Sequence, residues 1–215
     1  RCLHQVYTAA RPDYTGRVTV PTLWDRGRRT IVNNESAEIL RMLDHDFNAV
    51  ARHPEYDFAP ATARGEMETW DAFIYDRINN GVYKTGFATS QPAYEAAHDR
   101  LFEALDVLEN HLRGNRWLAG GTFSESDIRL FTTLIRFDPV YHGHFKCNRR
   151  RLVDYPALWA YTRDIYQMPD VRETVDFHHI KTHYYASHRG INPTGIVPKG
   201  PTLDLMAPVN RHGLR

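Results

Sequence analysis

Cysteine is almost missing from this sequence, which holds two, Cys2 and Cys147, in 215 residues. Two thiols cannot build a disulfide framework, so the expectation is a reducing, intracellular compartment, the cytoplasm. An excess of either charge is missing too. With 27 Lys and Arg against 26 Asp and Glu, the formal net charge of +1 gives no electrostatic case for nucleic acid or an anionic membrane as partner. No apolar run approaches the roughly 18 residues of a membrane-spanning helix. A basic-then-apolar leader is absent, and the chain opens on Arg1 instead of Met, which suggests a missing front end. Internal repeats and low-complexity runs are also lacking. What is present is aromatic: 12 Tyr, 10 Phe and 4 Trp are too many for a disordered chain, and 215 residues suffice for one large domain or two small ones.

Residues 1–14 carry no clear pattern. Arg17 to Asp25 reads as a β-branched strand interrupted by Pro21, and Thr30-Ile31-Val32 as a second, joined through the Arg26–Arg29 turn into an antiparallel hairpin. Ser36 is placed to cap a helix over 37–49, with Ile39, Leu40, Leu43 and Phe47 at helical spacing. A linker with proline at each end, 53–60, marks a domain boundary, and everything after it is helical in pattern. Helices are expected over 62–80, over 92–112 (Leu101, Leu105, Leu108 and Leu112 in phase), from Ser124 to about Pro139, and over 157–168. Ser124 and Asp127 form a capping-box variant. The fold class is α+β: part of a thioredoxin-like domain over 1–52, an all-helical domain over 61–190, and an irregular Pro- and Gly-rich tail over 191–215.

Several residue sets bear on chemistry. Pro21 cannot donate to a sheet ladder, so it belongs at an edge or bulge, or where a cis proline turns the backbone towards a bound thiol in a thioredoxin-like sheet. Glu35-Ser36 lies where a strand gives way to a helix. Free N–H groups and the positive end of the dipole make such a turn a carboxylate site, and Glu35 suits an ammonium, so the pair fits a γ-glutamyl group as well as an ordinary cap. Asn34-Glu35-Ser36 also matches a glycosylation sequon, without a secretory signal to support it.

His178, His179, His183 and His188 suggest a metal cluster, but no HExxH string or nearby carboxylate completes it, and no metal is expected. Cys147 follows His142 and His144, and its neighbours Lys146, Arg149, Arg150 and Arg151 would lower a thiol pKa; no CxxC spacing supports catalysis there. Tyr83, placed in a helix-end loop, and Tyr141, Tyr184 and Tyr185 are a different matter. A phenol aimed at a thiolate stabilises the anion and can deliver a proton, although each tyrosine singly is as well explained by packing.

The order of these features, with the strings GRVTVPTLWD, TIVNNESAEILRML, IYDRINNGVYKTGFATSQ, DIRLFTTLIRFDPVYHGHFKCN, DIYQMP and INPTGIVPKGP, resembles the glutathionyl-hydroquinone reductases, the Xi-class glutathione transferases. The resemblance runs from about Tyr14 to Pro201. It implies thiol exchange: a cysteine attacks the sulfur of a glutathionyl-hydroquinone, hydroquinone leaves, and a second glutathione resolves the mixed disulfide. It implies glutathione as co-substrate with no cofactor, glutathionylated hydroquinones as substrates, and a homodimer. By the same resemblance Arg17, Val18, Thr19, Val20, Glu35 and Ser36 match glutathione-binding positions. Tyr83 matches the proton donor, and Tyr141 and Tyr184 match the tyrosines that lower the cysteine's pKa. One departure stands out: the family's nucleophile lies in a Cys-Pro-Trp-Ala motif upstream of the Val-Pro, and no such string occurs here. The expectation is therefore an enzyme whose nucleophile lies upstream of these residues, inactive as written. Its rivals are a non-catalytic transferase-like binding or dimerisation module and, ranked last, a metal hydrolase built on the histidines.

Overall fold

The computed structural model describes residues 2–119 and 121–214, and the chain divides into two units, Arg1–Pro60 and Ala61–Arg215.

The first unit holds helix α1 (His4–Ala10), strands β1 (Leu23–Asp25) and β2 (Thr30–Asn33), and helix α2 (Ser36–His45). The strands pair antiparallel, Trp24 opposite Ile31 and Asp25 opposite Thr30, with an irregularity between Leu23 and Trp24. Asp25 fixes the turn by accepting from the Arg28 N–H at 2.9 Å. The strand expected from Arg17 is thus confined to its last three residues. Pro21 has no N–H for a ladder, and the peptide before it is cis. Residues 1–14, which show no pattern in sequence, contain α1 instead; its Tyr7 is 3% exposed and supplies the anchor of this unit. Tyr7 donates to the Thr19 carbonyl at 2.8 Å and accepts from the Asn34 amide at 3.1 Å, tying α1 to the segment before β1 and the segment after β2. The cap of α2 also departs from expectation. Glu35 occupies the capping position with extended backbone, Ser36 is already in the first turn, and no side chain caps the helix. The helix stops at His45 rather than near Ala49, and the Phe58 N–H donates to Asp44 in its last turn.

The second unit is helical. α3 (Arg64–Ile74) passes through a wide π-type turn (Tyr75–Asn79) into α4 (Asn80–Gly86). α5 (Gln91–Leu112) is the longest element. α6 (Glu125–Arg136) passes through a second wide turn (Phe137–Tyr141) into the short α7 (His142–His144), and α8 (Pro156–Tyr166) and α9 (Phe177–Ser187) complete the unit. Two expected helix ends are therefore corrected. The second helix runs on to Gly86, so Tyr83 sits in a helix and not in a loop. The fourth does not end at Pro139. A proline inside an α-turn removes a donor and clashes with the carbonyl four residues back, and here the turn that contains it is wide.

The core lies where α5 packs against its neighbours. Leu101, Leu105, Leu108 and Leu112 of α5 are fully buried with Ile74, Ile78, Val82, Leu130 and Leu158, as the helical phase predicts. Two carboxylates fix helix starts inside it. Asp127 forms the capping box with Ser124, and also accepts from the Leu118 N–H and the Tyr161 hydroxyl. Glu109 of α5 accepts from the first free N–H groups of α8, those of Ala157 and Leu158. The tail beyond α9 is irregular but held down. Lys181 donates to the carbonyls of Pro198 and Lys199, Gln167 to those of Leu205 and Ala207, and Arg211 is buried against the end of α5.

Candidate active site

Three tyrosines of the second unit meet at their hydroxyls. Tyr83 comes from α4, Tyr141 closes the second wide turn, and Tyr184 lies on α9. The Tyr83 and Tyr184 hydroxyl oxygens are 2.5 Å apart, and those of Tyr184 and Tyr141 are 2.9 Å apart. Tyr184 is therefore the middle of a hydrogen-bonded chain. Tyr141 is 2% exposed and Tyr184 6%, whereas Tyr83 is 38% exposed and forms the open end. Burial first, then the neighbouring phenols, pushes Tyr141 well above the ordinary tyrosine range, and burial does the same to Tyr184. Both inner hydroxyls stay protonated at any physiological pH, with a proton to donate along the chain. If Tyr141 donates to Tyr184 and Tyr184 to Tyr83, the Tyr83 proton is left pointing outward, and a negative charge left on Tyr83 would accept a hydrogen bond from Tyr184.

A second tier of rings supports these hydroxyls, and sequence reading passed it over. Each tyrosine is followed four residues later by another ring: Phe87, Phe145 and His188. On a helix that spacing puts the two side chains on one face. The three outer rings pack on one another, with centroids 5.2 Å apart for Phe87 and Phe145, 5.2 Å for Phe87 and His188, and 5.8 Å for Phe145 and His188. Gly86 makes room for this tier, since a Cβ there would overlap the Phe145 ring. His144 abuts the tier, its Nε2 3.2 Å from His188 Nδ1. Burial, with His188 and Lys146 adding, lowers His144 to about 4, so it is neutral near pH 7.

The other sequence candidates fall out as follows. In the first unit Arg17, Val18, Thr19 and Val20 form an exposed segment, and Glu35 and Ser36 are exposed at the start of α2. Tyr7 holds Thr19, accepting from its N–H at 3.2 Å, and the Asn33 side chain accepts from the Glu35 N–H at 2.7 Å. Among the described residues no side chain caps the first-turn N–H groups of α2, the arrangement that suits a carboxylate ligand. Cys147 reverses its expectation: the thiol is fully buried, and burial pushes it up to about 12 despite the cations beside it in sequence. Those cations point elsewhere, Arg149 to Asp99 and Arg150 over the Tyr155 ring. Cys2 is exposed and lies just before α1. The four histidines do not gather three ligand atoms at one point; among the described residues only Asp44, His45 and Asp57 do, an exposed group for the most part. Among the described residues no helix is long and apolar enough to cross a membrane.

Comparison with known proteins places these features. Residues 4–46 match the family described as "Glutathione S-transferase, N-terminal domain" and residues 91–164 the one described as "Glutathione S-transferase, C-terminal domain". The Xi 1 glutathione transferase of Trametes versicolor is 51% identical and superimposes with a TM-score of 0.89 over 93% of this chain and 70% of that one. The chain belongs to the Xi-class glutathione transferases. The glutathione-bound structure of YqjG from Escherichia coli is likewise 51% identical, with a TM-score of 0.93 over 97% of this Xi-class chain and 68% of its own. PcpF of Sphingobium chlorophenolicum, a glutathionyl-hydroquinone reductase, is 53% identical over 203 residues, 94% of this chain. The Xi-class chain spans just under two thirds of its curated relatives, 64% of PcpF and 63% of YqjG. Its fold is that of the family: part of a thioredoxin-like domain, followed by an all-α transferase domain.

Proposed function

We propose that this chain serves the glutathione-dependent reduction of glutathionyl-hydroquinones to hydroquinones. The observation that carries the reading is the chain of tyrosine hydroxyls with its open end at Tyr83. In the first step a cysteine thiolate attacks the glutathione sulfur of the substrate. The S–S bond of a mixed disulfide forms, the carbon–sulfur bond breaks, and its electron pair stays on the ring carbon. That carbon takes the Tyr83 proton, and the resulting phenolate is stabilised by the Tyr184 hydroxyl. A second glutathione thiolate then attacks the mixed disulfide, releasing glutathione disulfide and the cysteine thiolate. The inner hydroxyls of Tyr141 and Tyr184 stay protonated throughout; before the ring carbon is protonated, the single Tyr184 proton can turn to a nearby thiolate and hold down its pKa, with Tyr141 donating to Tyr184 behind it. In the first unit Arg17, Val18, Thr19 and Val20 offer backbone to the glutathione peptide, and the uncapped α2 N-terminus with Ser36 takes its α-carboxylate, with Glu35 for the α-ammonium. The working form is a homodimer in the cytoplasm, using glutathione and no resident cofactor.

The nucleophile is not Cys147, whose buried thiol ionises only near pH 12. The Cys-Pro-Trp-Ala string of the family does not occur in these 215 residues, so they are expected not to turn over by themselves. The test is a glutathionyl-hydroquinone reduction assay on the full protein that carries these residues, with Tyr83→Phe. Loss of about 100-fold in kcat with little change in KM is expected for removal of a general acid. Unaltered kcat would remove Tyr83 from the reaction. Turnover by the 215-residue chain alone that disappears in Cys147→Ser would show that the thiol is misassigned, and a full protein that binds glutathione without turnover would favour the binding-module reading.

A further inference from the structure

The open end of the hydroxyl chain is its least secured joint. Tyr83 is 38% exposed, and its hydroxyl is tied inward through Tyr184. Water competes for a phenol so placed, so the direction of its proton has to be set by what packs on the ring. Phe145 is fully buried just after α7, and it packs on all three tyrosines. Its centroid lies 5.3 Å from that of Tyr83, 5.5 Å from Tyr141 and 5.8 Å from Tyr184. Tyr83 and Tyr184 stand edge to face against it, at 61° and 79°, while Tyr141 is stacked at 22°. Phe87 packs on Tyr83 and His188 on Tyr184, so it is Phe145 that relates the three hydroxyl bearers to one another.

Phe145 is itself tightly placed. Its N–H donates to the Tyr141 carbonyl at 3.2 Å, and the Cys147 N–H donates to the same oxygen at 3.0 Å. Between them Lys146 has a φ of +58°, and its carbonyl accepts from the Tyr94 hydroxyl at 2.8 Å. On the other side is the backbone of Gly86, three residues after Tyr83, so close that a Cβ there would overlap the ring. The ring therefore bridges α4, which carries Tyr83, and the second wide turn, which Tyr141 closes, with no room for either to slide.

We propose that Phe145 is a positioning residue for the proton transfer: wedged against Gly86, it fixes the spacing between α4 and the Tyr141 turn and so aims the Tyr83 hydroxyl. The proposal rests on the reading of Tyr83 as the proton donor. Phe145 is fully buried beneath the tyrosines, so it acts through them and not on the substrate. Truncating it leaves every hydroxyl of the chain present and frees the Tyr83 ring to turn. Misplacing a donor by about 1 Å costs up to about 100-fold in rate.

The experiment applies two readouts to Phe145→Leu and Gly86→Ala in the full protein that carries these residues. The first needs no turnover: carbon-13 NMR of labelled tyrosine, in which the Tyr83 Cζ resonance, identified by its loss in Tyr83→Phe, senses the hydrogen bond of its own hydroxyl. It should shift in both variants. Phe102→Leu, the same truncation of another fully buried ring, packed on His98 and Phe137, should leave it in place. The second readout is kcat for glutathionyl-hydroquinone reduction. Both variants should lose about tenfold in kcat with KM changed by less than about twofold. Phe145→Leu added to Tyr83→Phe should lower kcat by less than about twofold further, since the aim of an absent hydroxyl has no effect. An unmoved Tyr83 resonance in both variants, a tenfold loss that persists without the Tyr83 hydroxyl, or an equal loss in Phe102→Leu would overturn the proposal. Full kcat in Tyr83→Phe by itself would instead refute Tyr83 as the donor, and a shifted resonance would then still show that Phe145 holds its ring.

Discussion

Arg211 closes the tail onto the second unit, and its replacement offers a sharp test of how that unit is held together. The side chain is 4% exposed. Its Nη1 donates to the Leu112 carbonyl at 2.9 Å, and Nη2 to those of Asn115 and Arg116 at 2.8 Å and 3.0 Å, where α5 runs out of internal partners. Nε faces Asp164 at 3.8 Å, and the guanidinium lies over the Tyr161 ring. Each hydrogen bond from a charged donor contributes about 1.5–3 kcal/mol, but three on one guanidinium are not additive. Asp164 keeps a two-pronged partner in Arg116, at 3.0 Å and 3.1 Å, so Arg211→Met leaves no unpaired buried charge. What it leaves is three carbonyls without donors and an unpinned tail. That points to a loss of about 3–4 kcal/mol, or about 6–15 °C in Tm for a chain of this size. Thermal unfolding followed by far-ultraviolet circular dichroism reads the loss, and amide exchange over 203–214 reads the tail. Arg211→Lys, which keeps the charge and loses the fork, should fall between the two. A Met variant within about 0.5 kcal/mol of the parent, with only the tail exchanging faster, would refute the claim that this residue ties α5 into the unit.

Thiol accessibility and acid titration give two further tests. In the native chain a thiol reagent at pH 8 should modify Cys2 alone, with Cys147 reacting only in denaturant; mass spectrometry of the alkylated chain decides between one and two adducts. Burial raises Asp127 from 3.8 to about 6, against the hydrogen bonds it accepts from Tyr161, Ser124 and Leu118. The folded state then holds this proton more tightly than the unfolded state does. The stability it contributes is therefore full below about pH 4 and lost as pH rises through about 6, by up to about 3 kcal/mol. The difference in unfolding free energy between parent and Asp127→Asn, measured in urea from pH 4 to 8, should follow that curve. A difference that grows with pH would reverse the sign and defeat the reasoning.

Much of the second unit was legible in the residues, and the reasons are local. The leucine phase of α5 and the Ser124–Asp127 cap depend on neighbours three or four positions away, and both appear as expected. The hairpin was legible for the same reason, from its turn. Failures came where a distant partner decides. α1 is weakly patterned, and its Tyr7 is buried by Thr19 and Asn34, twelve and 27 positions away. The charged run after Cys147 was expected to lower the thiol's pKa, although no spacing supported catalysis there; those cations are drawn to Asp99, Asp106 and an aromatic ring, while the thiol faces the core. For the tyrosine cluster, the sequence singled out the members, but only family resemblance grouped them. The contacts join positions 83, 141 and 184, and the one local sign of them, a ring four residues after each, went unread.

The two wide turns carry a consequence for how this site can be altered. Each has hydrogen bonds that reach five residues instead of four, as if one residue had been slipped into an ordinary helix, and Tyr83 lies just beyond the first while Tyr141 closes the second. An α-helix advances about 100° per residue. Deleting a single residue within 75–79 would therefore restore an unbroken helix and leave Tyr83 on nearly the same face, whereas deleting one within 80–82, where no wide turn absorbs the change, would swing Tyr83 by over a quarter of a revolution away from Tyr184, with every side chain of the cluster still present. The donor's aim is written in the count of residues as well as in their identity. Substitution scanning would be blind to that information, and a series of one-residue deletions and insertions would read it.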